Sequence, residues 1–201
     1  MHPRIAPLAV GVVLSMLLAS HAGAAPERWE IEPFHSSISF SVRHMMVSDV
    51  TGYFTKFKGT VVTDAKDVTR SKIEATIDVA SIDTRVAKRD EHLRSPDFFN
   101  VAKYPTMTFV SKKVARAGKD KLKVTGMLTM HGVTKEVVLD VDGPSKPMKG
   151  MDGKPLVGLR ASATIDRRDW GLKWNKVIEA GGVAVSEKVS IVLSLELVRP
   201  K

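Results

Sequence analysis

The sequence predicts an all-β protein built on an antiparallel sheet of about eight strands. Apolar residues recur at every second position in segment after segment, the pattern of strands with one buried and one wet face. The same segments are half polar, whereas parallel strands covered on both faces would read as unbroken apolar runs. Several of the links between them are short and contain glycine, as hairpins require.

The elements follow in chain order. One cation, Arg4, precedes an apolar run from Ile5 to Ala19 that is too short for a spanning helix, and Ala22-Gly23-Ala24 supplies the small residues a signal peptidase needs. The expectation is a signal peptide over 1–24, cleaved after Ala24, and a single domain over 25–201. Ile38, Phe40 and Val42 then alternate with serines and Arg43 in a first strand, and a second is expected over 53–62. Ile73, Ala75, Ile77 and Val79 form a third. The stretch from Thr84 to Phe99 interrupts the pattern. Val86 and Leu93 lie seven apart on one helical face, with Asp83 or Thr84 as the expected cap, and Ser95-Pro96 is suited to open one more turn that sets Phe98 beside Phe99. Strand alternation resumes over 105–114 after Tyr104-Pro105, and continues through Leu122 to Met130, 136–141, Val157 to Ile165 and Val189 to Leu197. Ala117 to Asp120 and His131 to Thr134 are short enough for hairpins, while Asp142 to Pro155 is a longer loop. Eight such strands must stack as a sandwich or close into a barrel, and alternation alone does not choose.

Composition narrows the function. The 201 residues include no cysteine, which excludes disulfides, thiolate metal sites, cysteine nucleophiles and an acylated N-terminal cysteine. Export without disulfides points to a bacterial periplasm. A net charge of +9, spread along the chain outside the cytoplasm, favours anionic lipid headgroups or phosphorylated ligands over nucleic acid. Beyond residue 24 the histidines are His35, His44, His92 and His131, and no two have the close spacing of a metal pair. No catalytic residue and no metal site is therefore assigned. Arg85, Lys88, Arg89, His92 and Arg94 surround the turn opened by Ser95-Pro96 and form a candidate anion site, or else a solvated basic helix. The apolar face is rich in phenylalanine, methionine and tryptophan, which line adaptable cavities and equally fill solid cores.

The chain resembles the YceI-like polyisoprenoid-binding proteins. The motifs are His35-Ser36 with Phe40-Ser-Val-Arg-His44, Gly52-Tyr-Phe54, Phe57-Lys-Gly59, Ser81-Ile-Asp-Thr84, Arg89 to Ser95, Asp97-Phe-Phe99, Tyr104-Pro105 and Thr108-Phe109, then Gly126 to Lys135 and Asp166-Arg-Arg-Asp-Trp-Gly171. Glu32 stands where that family usually has aspartate, and Ser186-Glu187 occupies a segment that often carries aspartate. The resemblance implies an eight-stranded antiparallel lipocalin-like β-barrel with a short helical segment around 84–99, and a non-enzymatic carrier of an isoprenoid lipid such as a polyprenyl phosphate or an isoprenoid quinone. The residues expected against the lipid are Phe40, Val42, Phe54, Phe57, Leu93, Phe98, Phe99, Met107, Phe109, Leu128, Met130 and Trp170. Charge and helix geometry nominate Arg89, His92 and Arg94 for the head group. No cofactor and no nucleic acid is expected, transient contact with an anionic membrane surface is, and a homodimer is left open. The competing readings are an envelope stress or interaction protein with a filled barrel, and a lipid-phosphate enzyme working through His92 or His131.

Overall fold

The computed structural model describes residues 26–64, 66–178 and 181–200. The expected signal peptide lies outside them. Strands β1 (Glu27–His44), β2 (Ser48–Phe54), β3 (Phe57–Thr63) and β4 (Lys72–Asp78) are followed by the short β5 (Ile82–Asp83) and the helix α1 (Ala87–Arg94). Then come β6 (Thr106–Gly118), β7 (Lys121–Met130), β8 (Val133–Asp142), the two-residue β9 (Met148–Lys149), β10 (Pro155–Asp166) and β11 (Val185–Val198). All pairings are antiparallel, in the order β11-β10-β8-β7-β6-β4-β3-β1-β2-β5, and β1 also pairs with β11. That last pairing closes the sheet. Strands β2 and β3 run one after the other along β1, opposite 38–44 and 27–30 respectively, and share one place in the ring. The result is a closed eight-stranded barrel, so the sandwich is excluded.

Bulges explain where the simple alternation stops. Along β1 the register against β11 shifts between Glu32 and Ser37. The inward side chains are Trp29 and Ile31 before the shift, and Ile38, Phe40 and Val42 after it, on the opposite parity. The Glu32 carboxylate holds the bulge, accepting from the backbone N–H of His35 at 2.7 Å and of Phe34 at 3.2 Å. Strand β6 shifts between Ser111 and Lys113, so Met107 and Phe109 point inward on odd positions and Val114 on an even one. An extra residue on one strand reverses every side chain beyond it. The strand expected over 53–62 is interrupted at Thr55-Lys56, where the Thr55 N–H leaves the ladder to bond the Ser81 carbonyl.

Both expected hairpins form, and each uses residues with positive φ: Gly118 and Asp120 between β6 and β7, His131 and Gly132 between β7 and β8. The helix differs from expectation at its start. Val86 is its N-cap and supplies no side-chain bond, while Asp83 caps the Arg85 N–H and Thr84 is turned inward onto Asp90. Ser95 does open the next turn, its hydroxyl accepting from the Asp97 N–H at 3.3 Å and its carbonyl from Phe98 and Asn100. Among the described residues no helix is long and apolar enough to cross a membrane.

Candidate functional site

The inward side chains do not meet. They surround a cavity of about 620 Å³ whose wall draws on both ends of the barrel, from Trp29, Val157 and Leu197 at one end to Leu93, Phe98 and Trp174 at the other. The wall is almost entirely apolar. Its volume falls within the range of ligand pockets. Small residues help to keep it open: Ala75, Ala161 and Ala163 project inward from strands whose other inward positions carry isoleucine, valine or leucine.

Ten of the twelve residues expected against a lipid border this cavity. Phe40 and Val42 do so from β1, Phe54 from β2, Met107 and Phe109 from β6, Leu128 and Met130 from β7. Leu93 on α1, with Phe98 and Phe99 from the following turn, covers one end, and the Phe99 ring meets Phe54 edge to face with centroids 6.0 Å apart. Phe57 and Trp170 are not part of the wall. Phe57 packs in the surrounding core. Trp170 is 2% exposed, and its indole N–H donates to the Leu128 carbonyl at 3.1 Å, which draws the ring into the packing behind β7. Trp174, four residues on, takes the place at the cavity: its ring lies 4.9 Å from His92 and 5.1 Å from Phe98. These three rings tie α1, the 96–99 turn and the segment before β11 into one cover.

The three cationic candidates separate. Arg89 and His92 border the cavity and Arg94 does not. Arg94 donates from Nε to the Ala80 carbonyl at 2.8 Å and from Nη2 to the Ile82 carbonyl at 2.7 Å, which fastens α1 to the barrel. Arg89 donates from Nε to the Thr84 hydroxyl and from Nη2 to the Thr84 carbonyl, both at 2.7 Å. Thr84 in turn donates its hydroxyl and its N–H to the buried Asp90 carboxylate. His92 Nε2 lies 2.9 Å from Asp97 Oδ2.

A buried cation on the wall has no counterpart among the sequence candidates. Arg167 follows β10 in a 3-10 turn (Arg167–Trp170), is 4% exposed, and borders the cavity at the α1 end. Burial lowers the pKa of its guanidinium from the ordinary arginine value. The motif from Asp166 to Gly171 marks this region in the sequence, but the choice between Arg167 and Arg168 is made by the turn. Arg168 faces out onto Asp166 and Glu187.

Two further histidines serve the frame. His131 Nδ1 is 3.0 Å from the Trp170 carbonyl, which can only accept, so that nitrogen carries the proton. His35 sits with Glu32 and Glu196 in a cluster whose potential ligand atoms lie within 4.8 Å of one another. Glu32 is committed there to the β1 bulge, and His35 Nδ1 is 2.8 Å from its carboxylate. Burial alone would raise the Glu32 pKa, but the bonds from His35 and Phe34 outweigh it and hold the carboxyl below its ordinary value.

Comparison with known proteins agrees with this architecture. Residues 29–197 match the YceI-like domain. The chain belongs to the YceI-like family. Relatives with clear sequence similarity include a UPF0312 protein of Staphylococcus aureus, 38% identical over 162 residues that cover 81% of this chain and 92% of that one. A UPF0312 protein of Staphylococcus epidermidis is 37% identical over 169 residues, covering 84% and 96%. Among solved structures, Burkholderia cenocepacia BcnA superposes with a TM-score of 0.71 at 25% identity, over 83% of this chain and 98% of that one. The Campylobacter jejuni YCEI protein gives 0.68 at 32% identity, over 79% and 90%. A polyisoprenoid binding domain from Saccharophagus degradans shares the fold, with a TM-score of 0.61 at 17% identity over 86% and 98%.

Proposed function

We propose that this YceI-like protein is a non-catalytic binder of a long isoprenoid lipid, a polyprenyl phosphate or an isoprenoid quinone, which it holds along the barrel axis in the periplasm. The observation that carries the reading is the apolar cavity of about 620 Å³. Left unfilled, apolar volume costs about 24 cal/mol per Å³, which for a cavity of this size is on the order of 10 kcal/mol, as much as a domain's whole stability. A methyl-branched tail repays that cost at roughly 0.8 kcal/mol per buried CH₂ and needs no reactive group on the wall. The fold shared with a domain described as polyisoprenoid binding supports the choice of ligand. Of the two imidazoles an enzyme would use, His131 is held in the frame by the Trp170 carbonyl. A filled-barrel interaction protein has no use for the open volume.

Lipid extraction and native mass spectrometry of protein isolated gently from its own host test the proposal. The expected result is a co-purifying prenyl lipid that is absent from an Ala163→Trp variant, whose indole would occupy the cavity. Wild-type protein recovered repeatedly without lipid, and failing to take one up from a prenyl-lipid suspension, would overturn it.

A further inference from the structure

Arg167 is expensive to keep where it is. A buried guanidinium is normally paired with a carboxylate, yet no carboxylate of the described residues lies within ion-pair distance of Arg167. The two nearest in sequence are held by outward cations. Asp166 pairs with Arg168 at 2.8 Å and with Lys188 at 3.6 Å, and Glu187 pairs with Arg168 at 2.5 Å. Arg167 is fixed instead by backbone carbonyls: Nε donates to Ser186 at 2.9 Å, Nη1 to Leu172 at 2.5 Å and Nη2 to Val185 at 3.4 Å. A guanidinium has five N–H groups. The carbonyls orient the fork, and one hydrogen on each Nη remains.

The wall is also polarised along its length. The guanidinium and imidazole groups that border it, on Arg89, Arg167, His44 and His92, are at the α1 end, and its carboxylate residues, Glu27 and Glu74, are at the opposite end. Within an apolar, water-poor space, such a cation attracts an anion far more strongly than at a surface.

We infer that Arg167 anchors an oxyanion on the head of the bound lipid, so that the cavity selects an acidic amphiphile, a phosphate monoester or carboxylate, over a neutral molecule with the same tail. The inference rests on the lipid-binding reading and narrows it: a polyprenyl phosphate fits, and a quinone does not use the site. The anion receives the two remaining N–H bonds in the paired geometry that suits an arginine fork. Asp166 and Glu187 act on the guanidinium only from beyond ion-pair distance, each already paired with an outward cation, so the anion would be its one direct charged partner among the described residues.

The test compares geranylgeranyl phosphate, geranylgeraniol and inorganic phosphate, each added to wild-type protein stripped of lipid. Wild type is expected to bind the lipid phosphate about tenfold or more tightly than the alcohol, the size of effect expected of a charge-assisted bond. Arg167→Gln should abolish that ratio while retaining the alcohol, and Arg167→Lys should keep part of it. Because Arg167 also ties Leu172 to β11, a second readout avoids substitution. In wild type, the Arg167 guanidinium NMR resonance should move with geranylgeranyl phosphate and stay still with geranylgeraniol. Equal affinity of wild type for both lipids, a ratio that survives in Arg167→Gln, or a resonance indifferent to the phosphate head would overturn the inference and leave tail binding intact. Inorganic phosphate binding as tightly as the lipid would overturn it too, by marking a free-anion site. Failure of both lipids to bind would instead remove the lipid-binding reading itself.

Discussion

Asp166 ends β10 and sets the direction of the turn that carries Arg167 and Trp170. Its carboxylate accepts from the Arg168 side chain at 2.8 and 3.1 Å and from the Arg168 N–H at 3.0 Å. The Arg168 hydrogen bond, chiefly, pushes its pKa far below the ordinary 3.8. A depressed carboxyl stabilises the fold above its unfolded pKa, and that contribution is lost as pH falls through the folded value. Asp166→Asn should therefore be less stable than wild type at neutral pH, with the gap closing as pH drops below about 4. Urea midpoints measured across that range check this, and a gap that stays constant would contradict it. Gly126 faces a steric limit instead. A Cβ there would lie 2.6 Å from Phe109 Cε2 and 2.7 Å from the Val110 carbonyl, so Gly126→Ala should cost about 1–3 kcal/mol in thermal or urea unfolding. An unchanged midpoint would show that β6 yields. At this scale the sequence was legible for side chains on regular strands, such as Phe40 or Met130. It misplaced Trp170 against Trp174, because Gly171 at φ +78° turns the chain between them and no periodicity crosses such a turn.

Helix α1 covers one end of the cavity, and little of its hold on the barrel comes from apolar burial. Its sequence, Ala-Lys-Arg-Asp-Glu-His-Leu-Arg, offers Leu93 as its one large aliphatic group, and the attachment is polar: Arg94 to Ala80 and Ile82, Thr84 to Asp90. Arg94→Ala removes two bonds from a charged donor, which should destabilise the element by about 1–3 kcal/mol. Hydrogen exchange at 87–99 should accelerate while the strands keep their protection, and bound lipid should leave faster. Uniform exchange across variant and wild type would mean that Phe98, Phe99 and Trp174 hold the cover alone. The existence of this helix was legible, since the strand period fails over 84–99. Its cap was not, because Thr84 serves a buried hydrogen-bond pair that sequence cannot reveal. The bulges in β1 and β6 were hidden for a related reason: an inserted residue looks like the end of a pattern.

For the molecule as a whole, alternation announced antiparallel strands and about eight of them, but left closure to a contact between β1 and β11 that local sequence does not record. The α1 end also exposes Met45, Met46 and Val47 in the β1–β2 turn and Val177 beside it, the Met45 N–H bonding the Ala184 carbonyl at 2.9 Å. Arg85, Lys88, Lys173 and Lys176 are exposed at this end too. Together these suit contact with an anionic bilayer. Wild type should co-sediment with vesicles containing phosphatidylglycerol, less so as salt rises. The pair Met46→Glu and Val47→Glu should weaken this binding by about tenfold, the loss of roughly 1.4 kcal/mol of apolar insertion. Met151→Glu, near β9 at the opposite end, should have no effect; an equal loss there would remove the assignment of this face.

Ring closure has a consequence for how the protein is made. Strand β1 pairs with β2 and β3 as soon as they exist, but its other edge can be covered only once Val185–Val198 has been synthesised, and the Glu27–Arg199 ion pair at 2.6 Å joins the seam at its outer margin. Until then the nascent chain holds an open, curling sheet with a greasy inner surface and two raw borders. The enclosed volume exists only after that last strand has docked.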